Sequence, residues 1–310
     1  MSAFDDYLAL DWSAASRPRR GADSIWIARA RRRARSAEVR LETCNPATRT
    51  AASAILTEWC ASSVADGRRV LVGVDLPLGL PHGFFLPAED SVGVGAEPGW
   101  LAWWQWLACH LNDDLGGDAN RNDRFALADD LNRRAGTRWF WGRPATAGFS
   151  HLSHLPPRDV EVDGLRPNPT CRLRRCERPL AGRGIKSAWQ LFGGVTVGSQ
   201  MLTALPRLFD LRRSFGDAVC VWPFEPERLG EAAVVIAELW PGQFVSRAEV
   251  DAAVASGRGV VADELQVTTA ARRCAEADRD GVLRGWLASV GGGPASAAAT
   301  EEGWILGVAP

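Results

Sequence analysis

The chain has very little net charge and almost no lysine. Its 36 Lys and Arg residues oppose 37 Asp and Glu residues, which gives a formal net charge of −1, and Lys186 is the only lysine. The strongly basic balance that accompanies binding of long duplex DNA is therefore lacking. Because a genome rich in G and C produces the same preference for arginine, the arginine content alone indicates no function.

Long apolar runs and paired cysteines are also missing. No run approaches the roughly 20 residues that a membrane-spanning helix needs, so no membrane partner is expected. The start, MSAFDDYLAL, is acidic and predicts no signal peptide. The seven cysteines are odd in number and show no disulfide framework, which favours a cytoplasmic location. His151, His154, Cys171 and Cys176 match no standard zinc-site spacing well.

The chain does have acidic residues at the ends of apolar runs. Residues 70–74, VLVGV, predict a strand buried on both faces that ends at Asp75. Residues 7–10 show strand alternation and end at Asp11. Neighbouring strands lie about 4.8 Å apart, so two carboxylates at one edge repel each other and favour a cation. The alternative is that each acid only caps the turn after its strand.

Three further acids extend this pattern. Residues 232–240, AAVVIAELW, predict a third buried strand with Glu238 at its end. Residues 262–287 predict one long helix, in which Asp278 shares a face with apolar residues and Asp280 follows two positions later. An acid on the apolar face of a final helix is the position that completes a two-metal cluster.

The order of the elements predicts the fold class. Strands at 7–11, 24–30 and 38–42, a helix at 50–65 and a strand at 70–74 form a three-stranded meander and a crossover helix. We therefore expect an α/β protein with a ribonuclease H-like mixed sheet. Its core comprises residues 1–81 and 198–310, the second part ending in the C-terminal helix, and residues 82–197 form a large Trp-rich inserted region of helices and loops.

The inserted region holds several ambiguous features. Residues 100–111 predict a Trp-dense helix, interpreted as core packing, with a base-stacking platform as the alternative. Residues 144–169 are rich in Pro and Gly and have the composition of a mobile lid. The arginines of residues 169–180 form either a solvated turn or an anion clamp. Residues 192–200 are Gly-rich but lack the P-loop ending, and residues 291–299 predict a small-residue linker.

Several segments resemble the domain-of-unknown-function 429 family, whose members are predicted RNase H-like nucleases. The matching segments, in order, are LALDWSAAS, VGVDLPLGLP, CRLRRCERP, KSAWQL, VGSQMLTALP, IAELWPGQF and EEGWILGV. They extend over nearly the whole chain, while the long Trp-rich insertion departs from simpler members. The resemblance implies strand-end acids at Asp11, Asp75 and Glu238, and a last-helix acid at Asp278 or Asp280.

Metal-dependent phosphodiester hydrolysis is the reaction that these acids predict. Two Mg²⁺ or Mn²⁺ ions about 3.5–4 Å apart activate water and neutralise the phosphate, and carboxylates are their preferred ligands. We expect Asp11 to bridge the ions, and the remaining ligands to be Asp75, Glu238, Asp278 and Asp280. The substrate would be a nucleic acid or nucleotide, and the candidate substrate-binding residues are Arg175, Lys186 and Ser199.

Two other functional classes stay open at this stage. Actin-like phosphotransfer enzymes need Gly and Thr or Ser after each strand-end Asp, whereas Asp75 is followed by Leu-Pro-Leu-Gly. A non-catalytic module that binds nucleotides or nucleic acid would keep the basic and aromatic surfaces without metal-dependent turnover. The sequence leaves the oligomeric state open.

Overall fold

A six-stranded sheet lies at the centre of the computed structural model, which describes residues 3–32, 38–84, 86, 99–114, 120–145, 148–156, 172–194, 196–257, 259–290 and 293–310. The strands are β1 (Asp6–Asp11), β2 (Trp26–Arg32), β3 (Val39–Cys44), β4 (Val70–Val74), β5 (Val219–Val221) and β6 (Val234–Glu238). Their order in the sheet is β3-β2-β1-β4-β6-β5. The predicted α/β class with a mixed sheet is confirmed.

The pairing divides the sheet into two parts. The first three strands form an antiparallel meander, and β1, β4, β6 and β5 run parallel to one another. The connection from β3 to β4 is the helix α1 (Arg49–Ala65), as the sequence predicts. Because β1 and β4 are parallel neighbours, their carboxyl ends meet at one edge of the sheet, which we call the carboxyl edge.

Side-chain alternation gives the sheet two different faces. Leu8 and Leu10 pack in a core with α1 and the helix α4 (Val197–Phe215), whereas Tyr7 and Ala9 pack against the helix α6 (Ala262–Arg279). Gly73 of β4 shows how closely the second face is packed. A Cβ atom there would lie 2.0 Å from Leu239 Cδ1, so only glycine fits without displacing that side chain.

The inserted region contributes to the core. It contains α2 (Gly99–His110) and α3 (Arg124–Ala135), and α2 carries four buried tryptophans, namely Trp100, Trp103, Trp104 and Trp106. The indole N–H of Trp104 donates to Leu78 O at 2.9 Å, which joins α2 to the turn after β4. The core-packing interpretation of this helix is confirmed, because its indole rings are not accessible to bases.

Two sequence predictions near the carboxyl terminus are wrong, and one helix there is missing from the prediction. The helix predicted at 262–287 is divided into α6 and α7 (Val282–Ala288). Gly281, between them, has a φ of +78°, which ends the helical conformation. A short helix, α5 (Arg247–Ala255), precedes α6 and was not predicted. The predicted linker at 291–299 contains most of α8 (Gly293–Glu302), because alanine favours helices more than any other residue.

Some predicted features fall outside the described residues. Among them are residues 33–35 between the second and third predicted strands, most of the predicted lid at 144–169, and Cys171. His151 and His154 are described, and they contact Asp129 and the carbonyl of Arg143, respectively. In the described part of the chain, no helix is long and apolar enough to cross a membrane.

Candidate acidic site

Two aspartates lie next to each other at the carboxyl edge. Asp11 is the last residue of β1, and Asp75 follows directly after β4. The N–H of Asp75 donates to Leu10 O at 2.9 Å, which continues the parallel ladder and fixes Asp75 beside Asp11. Both side chains are half-buried. The structure therefore brings together the first two acids that the sequence predicts.

A third aspartate reaches the same edge from α6. Asp263 lies in the first turn of this helix, where a negative charge is favoured by the helix dipole. Its Oδ2 accepts a hydrogen bond of 2.7 Å from the N–H of Asp23, which holds the carboxylate against the loop before β2. We call Asp11, Asp75 and Asp263 the acid cluster.

The three carboxylates of the acid cluster oppose one another's ionisation. Burial and the negative charges of Asp75, Asp263 and Asp23 raise the pKa of Asp11 well above its ordinary value. Burial, Glu238 and Asp263 raise the pKa of Asp75 to about 7. The pKa of Asp263 is also raised, chiefly by burial. Without a cation, the cluster is therefore only partly ionised at neutral pH.

The segment after Asp11 is held by side chains from distant parts of the chain. The amide nitrogen of Gln200, in the first turn of α4, donates to Trp12 O at 2.6 Å and to Asp11 Oδ1 at 3.4 Å. Arg49 Nη1 donates to Ala15 O at 2.9 Å. These contacts orient the Asp11 carboxylate without neutralising it.

Glu238 does not join the acid cluster in the way the sequence predicts. Glu238 pairs with Val74 in the sheet, so Asp75 lies one residue beyond its register position. Because successive residues of a strand face opposite sides, the side chains of Glu238 and Asp75 project from opposite faces of the sheet. The guanidinium of Arg174 holds it there, with Arg174 Nη1 2.7 Å from Glu238 Oε2. Glu177 binds the same guanidinium at 2.7 Å. All three side chains are buried, so Glu238 acts mainly as a structural partner of Arg174.

The predicted last-helix acids lie at the other end of the sheet. Asp278 accepts hydrogen bonds from the Tyr7 hydroxyl at 2.6 Å and from the N–H groups of Ala3 and Phe4, both at 2.9 Å. Asp280 is exposed and pairs with Arg279 at 2.8 Å. The prediction that either acid joins Asp11 is therefore wrong, because α6 runs antiparallel to β1 and only its first turn reaches the carboxyl edge.

The three predicted substrate-binding residues have different surroundings. Ser199 is buried; its hydroxyl donates to Leu191 O at 2.6 Å and accepts from Arg124 Nε at 2.8 Å. The N–H of Arg175 donates to Glu302 at 2.6 Å. Lys186 is half-buried, and no hydrogen bond or ion pair joins it to the acid cluster. The roles of these residues in substrate binding stay predictions.

The donor set of the acid cluster fits a hard divalent cation in its chemistry. Its ligands would be carboxylate oxygens, and their mutual repulsion is the charge imbalance that Mg²⁺ or Mn²⁺ relieves. In the described residues, however, no three His, Cys, Asp or Glu side chains converge closely enough to form a metal site. Cation binding would therefore require these carboxylates to move closer together.

Asp263 and Arg174 are the residues that sequence reasoning missed. The signal for Asp263 is the direction of α6: the chain leaves β6 at the carboxyl edge, and the first long helix after β6 runs back along the sheet, so its first turn, not its last, reaches the site. The sequence holds no comparable signal for Arg174. It is one of four arginines within seven residues, and nothing in that run distinguishes the buried one.

Comparison with known proteins gives no family assignment. No family model matches this chain, and no curated protein or solved structure matches it. The resemblance to the domain-of-unknown-function 429 family therefore stays a prediction based on the sequence segments quoted above.

Proposed function

We propose that this chain is a metal-dependent phosphodiester hydrolase with a ribonuclease H-like fold, and that its site is the acid cluster. The observation that carries the proposal is the pair Asp11 and Asp75, adjacent at the ends of parallel strands, with raised pKa values and no cationic side chain paired to either in the described residues. Unrelieved repulsion of this kind is typical of functional sites.

The sheet supports the fold part of the proposal. A meander of three antiparallel strands followed through a crossover helix by parallel strands is the arrangement expected for a ribonuclease H-like domain. Asp11, Asp75 and Asp263 would hold Mg²⁺ or Mn²⁺, which neutralises phosphate charge and activates water. Gln200 orients Asp11 for this role, and cation binding would release protons from the cluster because ions bind its ionised form.

The test is a comparison of variants on a panel of single-stranded and duplex nucleic acids and nucleotides. We expect cleavage by the wild type in Mg²⁺ or Mn²⁺ and none in EDTA. Asp75→Asn and Asp263→Asn should lose at least about 100-fold in rate, whereas Asp280→Asn, exposed on the far side, serves as the matched control. Calorimetric titration with Mn²⁺ gives a second readout that needs no substrate.

Two results would remove the proposal. Wild-type rates in Asp75→Asn would take that carboxylate out of the site. Equal Mn²⁺ binding by the wild type and by Asp75→Asn would show that the acid cluster is not the cation site. The pair Asp263→Asn and Asp278→Asn further distinguishes the two ends of α6, since only the first should affect cation binding.

A non-catalytic binding module is the second candidate. The observation in its favour is the ion pair between Glu238 and Arg174, which occupies one of the carboxylates that the sequence predicts as metal ligands. This candidate expects binding of nucleotides or nucleic acid without metal-dependent turnover. Actin-like phosphotransfer gains no support, because the described residues form one six-stranded sheet and a duplicated core requires two.

A further inference from the structure

A half-buried arginine, Arg124, has no carboxylate partner among the described residues and is linked to the acid cluster through Ser199 and Gln200. Arg124 begins α3, and its guanidinium contacts only neutral groups: Nε donates to Ser199 Oγ at 2.8 Å, and Nη1 donates to Asn122 Oδ1 at 2.7 Å. Among the described residues it forms no ion pair. Burial, and then the charge of Arg49, lower the pKa of Arg124 to about 10.

The nearby carboxylate is already taken by other arginines. Asp113 is buried between Arg49 and Arg207, which both bind it, the latter at 2.9 Å. A positive charge at a helix N-terminus is also unfavourable with respect to the helix dipole. No side chain in the described part of the chain therefore forms an ion pair with Arg124. An anion bound beside it would offset its burial, its repulsion from Arg49 and its unfavourable position at a helix N-terminus.

Aromatic rings extend from this arginine to the surface. The guanidinium carbon of Arg124 lies 4.2 Å from the ring centroid of Phe125. The Phe125 ring is 6.2 Å from that of Phe149 and 6.4 Å from that of Phe192. Phe192 is 44% exposed, although phenylalanine is usually buried. We call Arg124, Phe125, Phe149 and Phe192 the Phe–Arg surface.

The Phe–Arg surface is joined to the acid cluster through two short paths. Ser199, which binds Arg124, directly precedes Gln200, whose amide contacts Asp11. Asn122, which also binds Arg124, donates to Ala14 O at 3.4 Å, three residues after Asp11. Two short series of hydrogen bonds therefore link this surface to Asp11 and to the loop that follows it.

We propose that the Phe–Arg surface binds single-stranded nucleic acid, with Arg124 on a backbone phosphate and the phenylalanine rings against unpaired bases. The proposal rests on the proposed function and narrows its substrate class. Bases in a duplex are stacked on both faces and cannot pack on these rings, whereas unpaired bases gain about 1–3 kcal/mol each from an aromatic ring. The exposed ring of Phe192, with the half-buried rings of Phe125 and Phe149 behind it, thus selects for single strands, and the arginine provides the anion contact.

Binding can be measured apart from cleavage. Fluorescence anisotropy with short labelled single strands, and with duplexes of the same sequence, is recorded in EDTA for the wild type and in Mg²⁺ for Asp75→Asn. We expect single strands to bind more tightly than duplexes. Phe192→Ala should weaken single-strand binding about 5- to 100-fold, and Arg124→Gln should lower the slope of log affinity against log salt by about 0.7.

Matched controls lie on α5 and α7. Val282 is 47% exposed, so Val282→Ala removes an exposed apolar side chain elsewhere on the surface. Arg247→Gln removes one positive charge from an exposed ion pair. Both control variants should bind single strands as the wild type does. Circular dichroism confirms that Phe192→Ala and Arg124→Gln are folded, and the double variant should show no residual preference for single strands.

The outcomes separate this inference from the proposed function. Unchanged binding in both test variants, equal affinity for duplexes, or no binding of nucleic acid at all would overturn the Phe–Arg surface; the last result would point to a protein ligand. Cleavage with unchanged binding in the variants would leave the hydrolase intact and remove this inference. Binding that depends on Phe192 and Arg124 without any cleavage would support the Phe–Arg surface and contradict the proposed hydrolase.

Discussion

The two ends of β1 carry the same residue type in opposite surroundings. Asp6, at the amino end, is fully buried and accepts hydrogen bonds from Arg29 at 2.8 Å, Arg68 at 3.1 Å and Ser63. Burial alone would raise its pKa, but the contacts with Ser63, Arg29 and Arg68 lower it overall. Asp6 therefore stabilises the folded chain while it is ionised.

Asp11, five residues later, faces other carboxylates. Its pKa is raised by burial and by Asp75, and the amide of Gln200 is the side chain that binds it. The comparison shows that the fold compensates the carboxylate at the amino end of β1 with arginines, and leaves the one at the carboxyl end without a cationic partner among the described residues. Uncompensated charge at the other edge reduces stability, which is the usual condition of a site that binds a cation or reacts.

The largest change in stability is expected when the charge of Asp6, at the amino end of β1, is removed. Asp6→Asn leaves the buried guanidinium of Arg29 without its counter-charge, so the free energy of unfolding should fall by about 3–5 kcal/mol. Urea unfolding at pH 7 measures this loss, and Asp251→Asn, in the exposed pair with Arg247, is the control. A loss below about 1 kcal/mol for Asp6→Asn would show that the two ends are energetically alike.

Removing the charge of Asp75 should raise the free energy of unfolding, in contrast to the change at Asp6. A raised folded-state pKa means that Asp75 destabilises the fold wherever the unfolded chain is ionised, so this penalty grows from about pH 4 and is complete above about pH 7. Asp75→Asn should therefore stabilise the chain by about 1–3 kcal/mol at pH 8 and by much less at pH 5. Urea unfolding at both pH values measures the difference.

Added Mg²⁺ sharpens the same test. If the acid cluster binds the ion, Mg²⁺ should raise the free energy of unfolding of the wild type and leave that of Asp75→Asn nearly unchanged. The difference in stability between the two proteins at pH 8 should then become smaller. A destabilised Asp75→Asn at pH 8 would mean that Asp75 is compensated in the fold, contrary to the contrast drawn above.

A smaller effect is expected from the contact between Tyr7 and Asp278. Burial, and then the bond to Asp278, raise the pKa of Tyr7 far above its ordinary value. Because Tyr7 is the only tyrosine, absorbance on alkaline titration reports this group alone and should show no phenolate until the chain unfolds. Tyr7→Phe should lose about 1 kcal/mol, since Asp278 keeps two backbone N–H donors. Ionisation near pH 10 in the folded chain would contradict the buried contact.

The smallest effect is expected at Asp280. Its carboxylate is exposed and pairs with Arg279 on the surface, so Asp280→Asn should leave the midpoint of urea unfolding unchanged. Cation binding should also be unchanged. Weaker Mn²⁺ binding in this variant would restore the sequence prediction that Asp280 is a metal ligand.

Strands and their ends were readable from the sequence because apolar β-branched runs stop at an acid and a turn. The pairing of Asp11 with Asp75 follows from the crossover rule, which makes β1 and β4 parallel neighbours. The register of β6 was not readable. Residues 234–238 and 70–74 are buried on both faces, so no alternation marks which residues face α6, and the sequence does not reveal that Glu238 pairs with Val74 instead of Asp75.

The remaining wrong predictions concern contacts between distant residues and the helix propensity of small residues. The pairing of Arg174 with Glu238 joins residues 64 positions apart, and no local pattern encodes such a contact. The choice of Asp278 relied on its apolar helix face, which it does occupy, but that face is continuous along α6 and does not reveal which end lies at the carboxyl edge. The α8 helix was mistaken for a linker because small residues were given more weight than the helix propensity of alanine.

The continuity of α6 constrains the whole molecule. Asp263 and Asp278 are fifteen residues apart on one unbroken helix, and each residue turns the helix by about 100°. Inserting or deleting a single residue between them would rotate one acid away from its partners, at the acid cluster or at the backbone of Ala3 and Phe4. The length of this segment is therefore fixed from both sides.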